Sequence, residues 1–400
     1  MNAYSFFRGL SFVLVIAFIL GSCKSGTSNN NQSAIDDSLK SAKPMLVFIG
    51  TYTQNQLDTN EKSKGIYLYQ LDPKSGELSF VNASPETVNP SYLVIHPNKK
   101  WIYSVNEVGN DKENGYLSAF SFNLEQKELQ FINSVSSQGT YPCYISTDHS
   151  GKYLMTANYG NGTVASFTIK DDGSLSEAIS VHQHIRKSTD NPDVKPHAHM
   201  ILQGPAEQIV YSSDLGTDMV WVYNLNATNG KLEPAKMHIP TQTGSGPRHF
   251  EFHPNKPWAY VINELNGTIE AFATKQQFGA WGHFQTISTI TDTTYGPASC
   301  ADIHITPSGK FLYGSNRGNI NNLAIYEIDQ ESGELKLIGH QDIKGKTPRN
   351  FAIDPTGMYL LVANQNTNNI ITFKIDNSTG KLTETGKSVT IPAPVCIKFF

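Results

Sequence analysis

From Met45 onward the apolar positions fall into short runs, each closed by Gly, Pro, Asn or Asp. Runs of that length, rich in Val, Ile, Tyr and Phe, read as β-strands. Six segments superpose, opening at Pro90, Pro142, Pro196, Pro247, Cys300 and Pro348. Each predicts a strand, a turn of the Pro-x-Gly-Lys kind, and a second strand ending on Asn or Asp. A third strand follows, as after Gly162 and Asn368, and a turn such as Asp172-Gly173 or Thr379-Gly380 leads to a fourth. Four antiparallel strands roughly every fifty residues is the pattern of a β-propeller blade.

The two ends of the repeat array complete it. The run after Met45 matches a second strand, and the run after Pro394 matches a first strand. Pairing them supplies one more blade and removes the open sheet edges at the two ends. The expected fold is therefore all-β: a seven-bladed propeller over residues 44–400, with four antiparallel strands per blade, closed by its N- and C-terminal strands.

Residues ahead of the repeat behave differently. Arg8, the apolar run Leu10 to Leu20 and Gly21-Ser22-Cys23 form a basic start, a hydrophobic segment and small residues before a cleavage point. That order reads as a signal peptide over 1–22, and its apolar run is short for a membrane span. The stretch Leu20-Gly21-Ser22-Cys23 resembles a bacterial lipobox, which implies lipidation of Cys23. Residues 23–43, rich in Ser and Asn, read as a flexible tether. The expectation is an exported lipoprotein, on the periplasmic or outer-membrane side, touching the membrane through its lipid alone.

Composition narrows the function without naming it. The 400-residue chain carries a formal net charge of −4, which gives no support for nucleic-acid binding. Beyond Cys23 only Cys143, Cys300 and Cys396 remain, an odd number that reads as buried small hydrophobes. No Gly-x-Ser-x-Gly elbow and no phosphate-cradling glycine loop appears.

Alignment of the repeats points to one end of the propeller. The residue after each opening position and the residue at the end of the following strand share one end of the blade, because those strands are antiparallel. The first set is Ser91, Cys143, His197, Arg248, Ala301, Arg349 and Val395. The second is Glu107, Tyr159, Leu215, Glu264, Arg317, Gln365 and, by the terminal match, Thr51. Ionisable groups crowd these positions, while the opposite turns carry Pro, Asn, Gly and Lys. Convergent polar groups at a channel mouth are the default site. His197 and His199 share one side of a strand, and zinc would need a third ligand such as His249 or His304. No carboxylate or Cys ligand pattern accompanies them, so neither metal nor cofactor is expected.

Gly246-Pro247-Arg248-His249, Val261 to Leu265, Ala301-Asp302-Ile303-His304, Ser315 to Gly318 and Ala363-Asn364-Gln365 resemble the lactonase family of seven-bladed propellers. That family includes the propeller-type 6-phosphogluconolactonases and is related to the carboxy-muconate lactonizing enzymes. The resemblance implies a catalytic His, two Arg and a Glu, carried here by His197, Arg248, Arg317 and Glu264, with His199 an alternative to His197. His199, His249, Asp302, His304, Arg349, Gln365 and Glu107 are expected to contact the substrate. The implied activity is opening of a sugar-type lactone to its acid, with His197 moving the proton and the arginines holding developing negative charge. A muconate-type cycloisomerase and a non-catalytic binding propeller are the other readings.

Overall fold

The computed structural model describes residues 43–54, 62–110, 112–185, 194–206, 208–274, 280–291 and 296–400. The expected signal segment 1–22, Cys23 and all of the tether but Lys43 lie outside the described residues. The rest forms seven antiparallel sheets, each a blade. Blade 1 takes its inner strand Pro394–Phe399 from the C-terminus and its second strand Met45–Thr51 from the start of the repeat. Val47 lies opposite Phe399 and Thr51 opposite Pro394, the ring closure expected from the sequence. The inner strands of blades 2 to 7 are Leu93–Ile95, Pro142–Thr147, Ala198–Gln203, Pro247–Phe252, Cys300–Ile305 and Pro348–Ile353. Each packs against the next around a closed ring. Blade 4 departs slightly: its outer strand comes in two pieces, Leu232–Pro234 and Ile239–Pro240.

Position within the blade explains the hydrophobic pattern. Second strands such as Tyr153–Asn158, Trp258–Asn263 and Tyr359–Asn364 are buried along their whole length. They lie between neighbouring blades on both faces, so they carry continuous apolar runs rather than alternation. Outer strands such as Leu382–Thr390 alternate between covered and solvent-facing residues, the period-2 sign of a half-buried strand.

Blade is joined to blade by a repeated device at the turn end. The hydroxyls of Tyr103, Tyr260 and Tyr313 donate to the carbonyls of Gly173, Gly333 and Gly380, at 3.0, 2.8 and 2.8 Å, each in the outer hairpin of the next blade. His96 and His253 do the same work on the inner hairpins, with Nε2 2.7 Å from Gly151 O and 2.9 Å from Gly309 O. Burial of a polar tip costs little once it is hydrogen-bonded, so these residues can combine apolar packing with a directional tether.

Candidate active site

At the opposite end of the blades the ladder slips at one recurrent place. Pro247 pairs with Asn263 and His249 with Ile262, leaving Arg248 as an extra, bulged residue. The same slip isolates Cys143, His199, Arg349 and Val395 in blades 3, 4, 7 and 1, and both Ala301 and Asp302 in blade 6. A β-bulge bends the strand and re-aims the residue it releases. Here it turns the released residue of blades 1, 3, 4, 5 and 7 toward the channel mouth. In five blades the residue just ahead of the opening proline has positive φ: Asn89, Tyr141, Gly246, Thr347 and Ala393. Only Gly246 adopts it without steric cost.

Two sequence alignments need correction against this register. Ala198, not Pro196, pairs with the closing residue Asp214, so His199 is the bulged residue of blade 4 and His197 precedes the strand. The spacing carried the signal: sixteen residues separate Pro247 from Asn263 and Ala198 from Asp214, whereas Pro196 lies eighteen from Asp214. Likewise Thr51 is the paired strand residue of blade 1 and is buried, donating to Gly65 O at 2.6 Å. The residue beyond it, Tyr52, takes the mouth position assigned to Thr51.

Two ion-pair groups line the mouth. Glu264 is held between Arg248 Nε at 3.0 Å and Arg317 Nη2 at 2.9 Å. Backbone carbonyls steady both arginines: Arg248 Nη1 donates to Ala301 O at 2.5 Å and Arg317 Nη2 to Cys300 O at 3.0 Å. Across the channel Arg349 lies 3.6 Å from Glu107. Tyr52 donates to Glu107 at 2.8 Å, and the Ser91 hydroxyl donates to the same oxygen. Three guanidinium groups thus face two carboxylates, and one positive charge is left over. Arg248 is only 2% exposed, so that charge sits in a poorly solvated place where an anion is favoured.

The electrostatics follow from burial and these neighbours. Burial would raise the Glu264 carboxyl, but Arg317, Arg248 and Arg349 outweigh it and hold the group below its usual range. Burial lowers Arg317 to about 10 against the pull of Glu264, with Arg248 and Arg349 adding to the fall, so it stays charged at neutral pH. Burial, then Arg248, His249 and Arg349, push His199 well below an ordinary imidazole. Burial also raises the Cys143 thiol beside it, which rules out a ready thiolate. Cys143, Cys300 and Cys396 are all buried and unpaired, as read from the sequence.

The expected contact residues separate into three groups. Glu107, His199, Arg248, His249 and Arg349 border one narrow cavity under the mouth, with Ser91, Tyr92, Cys143, Asn350 and Val395. Its volume is about 10 Å³, room for roughly one water. A ligand larger than water must therefore sit above it, over the guanidinium groups. His197 stands at the rim, stacked 4.5 Å from Tyr159, with Nδ1 2.8 Å from the Tyr159 carbonyl. Asp302 and His304 are not mouth contacts. Asp302 is 1% exposed and spent on His249, His304 and Asn350. His304 lies four residues down the strand, opposite Tyr313 and beside Glu251, toward the other channel end. Gln365 opens the short 3-10 turn Gln365–Thr367 on the rim, outside the cavity lining. Tyr52, Tyr92 and Asn350 were missed. Tyr52 was hidden by the one-residue offset, and the other two carry no charge and lie one layer below the ring.

Among the described residues no group of three or more His, Cys, Asp or Glu could hold a metal ion. His184 is buried against Asp214 at 2.7 Å and the Tyr223 hydroxyl at 2.9 Å, away from the cavity lining. What the mouth offers is a rigid anion clamp of paired arginines, neutral imidazoles and a cavity of water size. That combination suits attack of water on a carbonyl that develops negative charge.

A seven-bladed propeller with such a mouth defines a class of small-molecule hydrolases, and sequence comparison agrees. The family profile described as "Lactonase, 7-bladed beta-propeller" matches residues 46–399, and the chain belongs to that family. It is 33% identical over 352 residues to the 6-phosphogluconolactonase of Bacillus subtilis, spanning 88% of this chain and 97% of that one. A 6-phosphogluconolactonase of Formosa agariphila is 34% identical over 362 residues, 88% of this chain and 99% of the relative. The solved structure of a periplasmic gluconolactonase from Pseudomonas aeruginosa superposes with a TM-score of 0.82 at 31% identity, covering 89% of this chain and 99% of that one.

Proposed function

We propose that this protein opens a sugar-type δ-lactone to the aldonic acid, using the Arg248–Glu264–Arg317 clamp to stabilise charge on the carbonyl oxygen. The observation that carries the proposal is the surplus positive charge of a buried clamp set beside a water-sized cavity. A planar guanidinium that is already oriented needs no reorganisation when the oxyanion forms. Glu264 keeps the two arginines apart and aimed, and its depressed pKa keeps it ionised at neutral pH. It acts as an orienter rather than an acid.

The relatives' names support both gluconolactone and its 6-phosphate as substrates. Export favours the unphosphorylated lactone. The Met1–Cys23 segment supports that export, as does the word periplasmic in the name of the Pseudomonas relative. On this reading the chain is a lipid-anchored lactonase acting outside the cytoplasm.

The test follows acid release from gluconolactone and 6-phosphogluconolactone against the spontaneous rate, for wild type and Glu264→Gln. Wild-type acceleration that collapses in Glu264→Gln is the expected result. No acceleration with either lactone sinks the proposal. Cell fractionation with and without Cys23→Ala tests the anchor separately: the wild-type chain should partition with membrane and the variant should not.

A further inference from the structure

Beneath the clamp, two histidines share one buried carboxylate. His249 Nδ1 lies 2.7 Å from Asp302 Oδ1, and His304 Nε2 lies 3.2 Å from Asp302 Oδ2. Asn350 donates to the second oxygen and fixes the carboxylate, while its own oxygen accepts from Ile397 N at 2.7 Å. The two imidazoles nevertheless face different places. His249 borders the cavity under the mouth, and Arg248 Nη1 lies 3.5 Å from its Nε2. His304 points away from the mouth toward Glu251, 3.4 Å distant.

Hydrogen-bond logic then sets the tautomer. An ionised Asp302 can only accept, so Nδ1 of His249 carries the proton, and the guanidinium beyond Nε2 can only donate. The lone pair of Nε2 therefore faces Arg248 Nη1, 3.5 Å away at the long limit of a hydrogen bond, where both residues border the cavity. This is the arrangement of an oriented base: an imidazole whose far nitrogen is pinned by a carboxylate.

We infer that His249, held by Asp302, is the general base of the lactonase reaction. The assignment rests on the lactone-hydrolase reading above. Water seated in the cavity forms the new bond from its oxygen to the lactone carbonyl carbon and gives one proton to His249 Nε2. The tetrahedral intermediate collapses, the ring C–O bond breaks, and the ring alkoxide takes that proton back from Nε2. The new carboxylic acid releases its own proton to solvent. Asp302 stabilises the transient imidazolium, and His304 is a positioning residue.

The environments of the pair agree with this division. Burial and Arg248 lower His249 to about 4 despite Asp302, so it is neutral at working pH. His304 is raised to about 10, because Asp302 and Glu251 outweigh its burial. A carboxylate flanked by two imidazoles thus keeps one neutral and the other charged, the separation expected when one of them serves as base. The charged His304 also offsets part of the Asp302 field that would otherwise raise His249. The other groups facing His249 are His199, Tyr92 and Tyr144, with Arg349 and Glu107 across the cavity.

The experiment measures kcat, KM and the acid limb of kcat/KM for gluconolactone opening by the full chain. Wild type, His249→Gln, Asp302→Asn and His304→Gln are compared. Folding is checked by circular dichroism, and mouth integrity by the inhibition constant of gluconate. His249→Gln and Asp302→Asn should each lose about a hundredfold or more in kcat, with gluconate inhibition changed less than about threefold. His304→Gln should move the acid limb to higher pH, because Asp302 then acts on His249 uncompensated. A folded His249→Gln that keeps more than about a third of kcat overturns the assignment, and so does an unmoved acid limb in His304→Gln. If His249→Gln does not fold, the acid limb decides alone. Wild type inactive on every lactone instead removes the underlying reading and the base with it, whereas an inactive Glu264→Gln beside an active His249→Gln removes the base alone.

Discussion

His249 and His253 lie four residues apart on one strand and its turn, and they have opposite tasks. His253, at the turn end, puts Nε2 2.9 Å from the Gly309 carbonyl and closes a backbone gap between blades. His249, at the mouth end, leaves Nε2 toward a cavity and gives Nδ1 to a carboxylate. The contrast extends to the whole of each end. At the turns, Tyr103, Tyr260, Tyr313, His96 and His253 satisfy fixed carbonyls. At the mouth, Arg248, Arg317 and Arg349 outnumber Glu264 and Glu107. Residue type therefore says little here. What separates scaffold from chemistry is whether the polar atom ends on a backbone group or on another ionisable side chain beside a cavity.

The sharpest way to break that contrast is to remove a mouth guanidinium. Arg248→Met keeps much of the packing and leaves Glu264 with Arg317 alone. The expected loss in kcat/KM on gluconolactone is about 10²- to 10³-fold, the scale for losing one oxyanion donor. Steady-state kinetics measure it, and a loss below about tenfold would place the clamp outside the chemistry. The matching change at the turn end is Tyr313→Phe, which leaves Gly380 O without its donor. It should cost about 1–3 kcal/mol of stability. Urea unfolding reads that cost, and kcat/KM should not move. A kinetic effect from Tyr313→Phe would mean that the two ends are coupled.

This difference between the ends was only partly legible in the sequence. The blades were legible because the second strands, such as Trp258–Asn263, are buried on both faces and so print unbroken apolar runs. Arg248, Glu264 and Arg317 stood out because ionisable residues sit in register at the ends of such runs. The β-bulge was not legible, since it inserts a residue without any marker of type. It moved the blade 4 mouth position from His197 to His199, and only the spacing to Asp214 encodes the shift. Asp302 belongs to a motif that carries the family resemblance, which sets it among the expected contacts. A single sequence does not distinguish a carboxylate facing substrate from one consumed by two imidazoles and an amide.

Titration offers a smaller effect that also separates the ends. His304 has a folded pKa raised to about 10, from an ordinary value of 6.5. A raised group contributes stability that is full below its unfolded pKa and is lost as pH rises toward the folded one. Between pH 7 and 8.5 His304 should therefore remove about 1 kcal/mol per pH unit, in addition to the loss from the buried thiols of Cys143, Cys300 and Cys396, which burial raises. Glu264 acts in the other direction. Its folded pKa lies below the ordinary 4.5, so its contribution is present above that value and is lost in acid. Urea midpoints across pH 7–8.5 should fall more steeply in wild type than in His304→Gln. Parallel slopes would place the charge of His304 elsewhere.

The smallest effect belongs to the residue that sequence alignment set in the ring and the ladder register moved to its rim. His197 is half-buried, stacked on Tyr159 and bonded to the Tyr159 carbonyl, so its ring is spent on local packing. His199 lines the cavity, 5.2 Å from His249 between ring centroids, with Cys143 Sγ 3.8 Å from its Nδ1. Truncating His199 opens space against the base and beside the water-sized cavity, where a shift of one ångström matters. Truncating His197 removes a stacking partner that solvent can replace. His197→Ala should therefore lower kcat/KM by no more than about threefold, roughly 0.7 kcal/mol. His199→Ala should lower it by about tenfold or more. Parallel kinetics of the two variants decide the order. A larger loss from His197→Ala would put the reacting carbonyl out on the rim by Tyr159, rather than over the cavity that His249 and Arg248 share.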